Sequence, residues 1–432
     1  MLSKQNATKT FILFYMILNT WNNAYASDEI NFVAAKDAAS SINIFAFDLY
    51  KELVRDKDAS IFFSPYGIST AMSMLYLGAT ETAKEEMQKV LHYQNNNHYL
   101  MMNLRKTLQL KINHNPLSND LYETARANSG TTPSKLLIAN AVWPSINIDL
   151  LQKYKENINQ YFDGEVIQLD YINNSEESEV IINKWVSDKT NNKIESIFPK
   201  GAFNLGNLTR TSMIITNAIY FKADWRFPFN KSETRQDIFY GIDGNILVDM
   251  MKTSIHGIKY SETETFQIVN LPYIAINCGM IIILPKEISL LSTIESMLSA
   301  EKYYDYLASG IETNVNLFMP KFIMNIDLKL SVYFAKLGFK SLFSSSQNNN
   351  FNNMLSTEKG MSINDIFHKT FITIDENGTE ASSTSAILLQ ILGAMHQDVA
   401  YTEFRANHPF IYFIMDYDTN TILFMGRYMG DI

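Results

Sequence analysis

The chain has 432 residues, 46% hydrophobic and 19% charged, a composition that excludes intrinsic disorder and permits a large packed core. With 36 Lys+Arg against 45 Asp+Glu the formal net charge is −9, which argues against nucleic acid and anionic membrane as main partners. Length alone suggests about two or three domains. No internal repeat and no Pro/Gly-rich linker divides the chain, however, so it reads as one large domain.

Residues 1–26 read as a signal peptide. Lys4 and Lys9 give a basic start, residues 11–18 form a short apolar run, and Ala24-Tyr25-Ala26 offers small residues for cleavage before Ser27. The run is too short to span a bilayer comfortably; an uncleaved anchor helix is the alternative. No later segment has a transmembrane pattern, so the mature chain, 27–432, is expected to be secreted and extracellular. The one cysteine, Cys278, allows no internal disulfide. Beside the apolar run 280–284 it reads as a core-facing thiol, with a reactive thiol or a disulfide-linked dimer as alternatives.

In chain order, Ile42, Phe45, Phe47, Leu49 and Leu53 have near-helical spacing and predict an amphipathic helix over 42–54. Ser64 then suits an N-cap and Pro65 a first helical position, opening a buried helix that Gly78 ends. A polar, Asn-rich stretch over 95–133 holds a helical piece at 100–110 and a loop at 113–132. Residues 136–143 predict a buried strand, and 178–192 a helix with Val180, Ile181, Trp185 and Val186 as its apolar face. Strands are expected at 212–221, 266–271, 279–284, 314–326 and 369–375, and a terminal hairpin pairs 409–415 with 421–428. Helices lead and strands follow, which predicts an α+β fold.

A secreted hydrolase is the obvious competing class. The chain carries no G-x-S-x-G elbow, no H-E-x-x-H helix and no phosphate-loop glycine pattern. The seven histidines, His92, His98, His114, His256, His368, His396 and His408, are scattered and none pairs with another at metal spacing. Neither a cofactor nor a metal is expected.

Residues 381–397, ASSTSAILLQILGAMHQ, hold no Lys, Arg, Asp or Glu, begin small and turn into strong β-formers. Every second residue from Thr379 (Thr379, Ala381, Ser383, Ser385, Ile387, Leu389, Ile391) is small or apolar and could face a core if the segment became a strand. Leu388 breaks the outer face, and periodicity does not separate this reading from a permanent buried strand.

Here the chain resembles a known family. Residues 375–384, DENGTEASST, look like the hinge of the serpins, 61–68 like their opening helix motif, and 216–225 like their central strand and breach. Residues 182–190 are similar to serpin helix F, and 404–410 with 424–427 to the C-terminal signature. The resemblance covers the mature chain in order. It implies one domain of three β-sheets and about nine helices, with an exposed reactive loop at about 376–403.

By that resemblance the protein is an inhibitor rather than an enzyme. A target serine protease attacks the loop, becomes a covalent acyl complex, and is trapped when the cleaved loop inserts into the central sheet. The implied hinge is Glu376, Gly378, Thr379, Ala381, Ser383 and Ser385, whose small residues favour insertion; Gly378 would supply backbone freedom at the pivot. Ser64, Asn217 and His368 match the family's shutter under the sheet, and Trp225 its breach, but Gly67 replaces the usual second serine. Counting from Glu376 puts the scissile bond at Leu392–Gly393; counting back from Pro409 favours Met395–His396, with Leu389–Gln390 weaker. An apolar residue there implies a chymotrypsin-, elastase- or cathepsin-G-like target. A cysteine protease target and a non-inhibitory carrier or chaperone are the alternatives, and a monomer is expected. Arg105, Lys106 and Lys111 alone do not support heparin activation. Asn173, Asn207 and Asn230 are candidate glycan sites, while Asn377, in the hinge, is expected to be bare.

Overall fold

The computed structural model describes residues 30–430 apart from 56–57, 95, 114–133, 172, 206–211, 275, 340–341, 343–349, 357–360, 362 and 380–399. The expected signal peptide (1–26), the candidate scissile bonds, Ala381, Ser383, Ser385 and Asn207 lie outside the described residues.

Helix α1 (Phe32–Val54) starts on Asn31, whose side-chain oxygen accepts from Ala34 N at 3.0 Å. It buries all five residues expected from the spacing and begins earlier, because Ala34, Ala35, Ala38 and Ala39 extend the same face. Strand β1 (Ile61–Phe63) leads through Ser64 into α2 (Pro65–Gly78). Ser64 Oγ accepts from Gly67 N, and every α2 residue except Leu77 is buried. Helices α3 (Glu81–Leu91) and α4 (Asn97–Leu108) follow, then β2 (Lys135–Pro144), α5 (Gln152–Phe162), β3 (Glu165–Val166), α6 (Ser175–Lys189) and β4 (Met213–Asp224).

The inner face of α6 differs from expectation. Val180 and Ile181 are 58% and 38% exposed; Ile182 and Val186, one turn apart, are the apolar residues buried, together with Ser178 and Glu179. Glu179 turns inward because its carboxylate accepts from the Gly201 and Phe203 N–H groups, at 3.0 and 3.2 Å.

Strands β5 (Arg235–Gly241) and β6 (Gly244–Glu262) form a hairpin, followed by β7 (Phe266–Pro272) and β8 (Cys278–Pro285). After the short helices α7 (Leu291–Met297) and α8 (Ala300–Ser309) come β9 (Ile311–Pro320) and β10 (Phe322–Lys329). The single strand expected over 314–326 is therefore two, broken after Pro320, because β9 and β10 belong to different sheets. Helix α9 (Ser331–Leu337), β11 (Ile363–Ile374), β12 (Gly378–Thr379), β13 (Thr402–Arg405), β14 (Phe410–Asp416) and β15 (Thr421–Tyr428) complete nine α-helices and fifteen strands among the described residues.

The central sheet runs β10-β11-β12-β4-β2-β3. The other nine strands run β1-β15-β14-β8-β7-β6-β9-β13 with β5 paired to β6, and β6 meets β5 through Met250, β9 from Met250 to Tyr260 and β7 through Tyr260–Glu262. A register irregularity between Ile255 and Ile258, with Gly257 at φ +65°, bends β6. The described strands thus form two hydrogen-bonded sheets, because β6 and β9 stay paired on both sides of that irregularity, from Met250↔Pro320 to Tyr260↔Ile311. The main core lies between the central sheet, α1, α2 and the β14–β15 layer. A smaller core on the opposite face packs Trp143, Ala218, Ile214, Ile182 and Val186 beneath α6. Strand β4 is thus buried on both faces, as its continuous apolar run requires.

Candidate functional site

The candidate site lies along the seam between β4 and β11. These strands are parallel and paired from Met213↔Ile363 to Tyr220↔Phe371. Above that point they separate, and β12 occupies the gap. Thr379 pairs with Ile374 of β11 and with Ala223 of β4, and Gly378 pairs with Asp224, both antiparallel. The chain leaving β11 has therefore turned back and begun a new strand between its two neighbours.

The turn is held from several directions. Asp375 Oδ1 accepts from Asn377 N and Gly378 N at 2.8 and 3.3 Å. Trp225 Nε1 donates to Asp375 O at 2.9 Å and Trp225 N to Asn377 O at 2.8 Å. The Trp225 ring stacks on Tyr273, centroids 4.7 Å apart, and the Tyr273 hydroxyl meets Thr379 Oγ1 at 2.6 Å, so the fully buried Thr379 is satisfied. Gly378 serves close approach rather than left-handed freedom, since its φ is not positive. A Cβ there would lie 2.3 Å from Ala223 O.

Glu376 is 5% exposed and points inward. Its carboxylate accepts from Thr234 Oγ1 at 2.9 Å and Lys321 Nζ at 3.2 Å, and Phe229 N donates to its carbonyl. Burial alone would raise the pKa of such a group, yet hydrogen bonds from its own backbone, Thr234 and Lys321 outweigh it and hold the pKa below the usual carboxylate range.

Lower on the seam, His368 of β11 and Asn217 of β4 are register partners. Ser64 N donates to His368 Nε2 at 3.0 Å, so the imidazole proton sits on Nδ1 and is given to Asn217 Oδ1 at 3.1 Å. Asn217 Nδ2 donates to Asn140 Oδ1 at 2.8 Å, and Ser64 Oγ donates to Leu423 O at 2.6 Å. Burial without a charged partner lowers the His368 pKa to about 3. Three of the residues expected together, Ser64, Asn217 and His368, therefore meet. Gly67 does not open the network: a Cβ there would lie 2.3 Å from Asn217 Oδ1, so the glycine admits the amide. Asn140 and Lys321 were missed. An asparagine inside the apolar run 136–143 was the available signal for the first.

The family model described as serpin (serine protease inhibitor) matches residues 40–430. The chain belongs to the serpin family. An uncharacterized serpin-like protein of Thermococcus kodakarensis is 35% identical over 395 residues, 91% of this chain and 86% of that protein. Human serpin B4 is 30% identical over 393 residues, 89% and 97% of the two chains. Among solved structures, human thyroxine-binding globulin aligns at TM-score 0.76 and 23% identity, covering 91% of this serpin and 98% of that chain. Uncleaved ovalbumin aligns at 0.75 and 24%, covering 91% and 99%; both share the fold.

Elsewhere in this serpin, Cys278 is buried, its thiol facing Asp416 Oδ1 at 3.8 Å, and burial raises its pKa well above normal. Arg105 donates to the Tyr161 and Gln160 carbonyls, and Lys111 pairs with Asp418 at 3.5 Å. Asn173 and Asn230 are exposed, whereas the Asn377 Nδ2 atom, the point of glycan attachment, is enclosed. Among the described residues no helix is long and apolar enough to cross a membrane.

Proposed function

We propose that this serpin is a secreted suicide-substrate inhibitor of chymotrypsin-, elastase- or cathepsin-G-like serine proteases, monomeric and without enzymatic activity of its own. The observation that carries the reading is the position of Gly378 and Thr379, already seated as the first rungs of a strand between β4 and β11. A strand that runs back from the top of β11 must be antiparallel to both neighbours, and β12 is.

The protease serine attacks the carbonyl of the scissile residue, Leu392 in the leading assignment, with Met395 the rival. The C–N bond to Gly393 (or His396) breaks, the amine leaves with a proton from the protease histidine, and an ester joins the two proteins. Hydrolysis of that ester would free the protease. Insertion competes with it: Thr379 is already buried, and Ala381, Ser383 and Ser385 would follow on the same face without burying charge. About ten inserted residues at roughly 1 kcal/mol net each supply on the order of 10 kcal/mol, comparable to the whole stability of a typical domain. The uninserted form is therefore kinetically held.

The seam must part for this. A strand between β4 and β11 moves them about 4.8 Å further apart, which breaks the His368–Asn217 bond. Glycans on the exposed Asn173 and Asn230 are compatible with this motion, and the enclosed Asn377 amide supports a bare hinge.

The test mixes the mature protein with chymotrypsin, elastase and cathepsin G and analyses the products by denaturing electrophoresis and mass spectrometry. A denaturant-stable complex with a released peptide starting at Gly393 is expected; a start at His396 moves the bond. Cleavage with no complex from any of the three refutes inhibition. Purification from the medium with Ser27 at the N-terminus checks export.

A further inference from the structure

We propose that the outer face of the β5–β6 hairpin is a second contact for the body of the protease held on the loop; this rests on the inhibitory reading above. Ile238, Tyr240 and Leu247 are 40%, 43% and 64% exposed, and Ile242 in the turn is 47% exposed. Ile238 faces Leu247 directly across the hairpin, and Tyr240 lies two residues on from Ile238, so the three side chains form one continuous apolar patch. Contiguous exposed apolar surface of this kind marks an interaction site, whereas scattered single residues do not.

The backbone edge beside the patch is closed. Ile238 N donates to Asp237 Oδ1 at 2.8 Å and Tyr240 N to Asn407 O at 2.8 Å. A partner therefore meets side chains rather than adding a strand.

The occupant follows from where the loop ends. The chain re-enters the described body at Ala400, and Arg405 and Asn407, just beyond it, fasten that segment to the hairpin. The Arg405 guanidinium pairs with Asp237 at 3.2 Å and lies 3.7 Å over the Phe318 ring. Gly393 and His396 precede Ala400 by seven and four residues. Fully extended, the longer stretch spans at most about 25 Å. A chymotrypsin-sized protease, at a radius of gyration of about 17 Å, is roughly 45 Å across. A protease clamped at either bond reaches the hairpin. Asp243 and Asp249 are exposed on the hairpin beside the apolar residues, so the matching protease surface is apolar with a basic edge.

The test is the double variant Ile238→Ser/Leu247→Ser, with circular dichroism and the heat midpoint confirming an unchanged fold. The second-order rate constants for trapping chymotrypsin and elastase are measured with the number of inhibitor molecules used per protease. A fall of about tenfold or more for at least one protease, with unchanged stoichiometry, is expected, because the contact acts before acylation. Rates within about twofold of wild type for both proteases overturn the inference alone. So does a wild-type dimer, seen by size exclusion, that the variant loses, since the patch would then join two copies. A wild-type protein that forms no complex defeats the inhibitory reading, and this inference falls with it.

Discussion

His368 gives the seam a dependence on pH that can be worked out from its partners. The imidazole is neutral, accepts from Ser64 N on one side and donates to Asn217 on the other, and its pKa is lowered to about 3. In the unfolded chain a histidine titrates near about 6.5. The folded value lies below the unfolded one, so the unfolded state takes up the proton first. Stability from the neutral ring is fully present above about pH 6.5 and is lost as pH falls from there toward about 3. Between pH 7.5 and 4.5 this amounts to about 2.5 kcal/mol. His98 and His408, both lowered by burial, add in the same direction, so the comparison must be with His368→Gln. The measurement is the urea midpoint, followed by tryptophan fluorescence, across that range for both proteins. Wild type is expected to lose about 2.5 kcal/mol more than the variant on acidification, although the variant starts lower because the Ser64 N–H loses its partner. Parallel pH curves would refute the assignment of a neutral, latched His368.

Other expectations follow from the same residues. Glu376→Lys places a cation beside Lys321 and should lower the thermal unfolding midpoint. The loss is about 1–3 kcal/mol, below the buried-pair range because Lys321 is 41% exposed, and the swap Glu376→Lys/Lys321→Glu should recover much of it. Gly67→Ser forces Asn217 to move and should destabilise by about 1–3 kcal/mol in chemical unfolding; an unchanged midpoint would show that the network can rearrange. Thr379→Arg would set a charge against Tyr273 where Thr379 is already buried, expelling the first rung on which the inserting strand must build. It should leave loop cleavage intact but convert the protein from inhibitor to substrate, seen as loss of the covalent band and gain of the cleaved one.

Much of this was legible because its signals are local. Ser64-Pro65 caps α2 within two residues, and β4 reads as one apolar run. The hinge stood out because its small, uncharged residues have no reason to cluster in an ordinary strand. What failed depends on distant partners. Lys321 meets Glu376 across 55 positions and Asn140 meets Asn217 across 77, and nothing near either residue names its partner. The face of α6 was misjudged because Val180, Ile181 and Ile182 are consecutive, so spacing alone could not say that only Ile182 turns inward. The break after Pro320 was overlooked because apolar residues continue across it, from Leu317, Phe318 and Met319 to Phe322, Ile323 and Met324, while the buried positions change from odd to even numbers as the chain changes sheets.

The central claim is that the cleaved loop enters the seam between β4 and β11. The direct measurement is the thermal unfolding midpoint of the mature protein before and after cleavage of the loop, with hydrogen exchange on β4 and β11. Insertion worth on the order of 10 kcal/mol should raise the midpoint by roughly 10–20 °C and slow exchange along both strands. A midpoint and exchange pattern unchanged by cleavage would contradict the account.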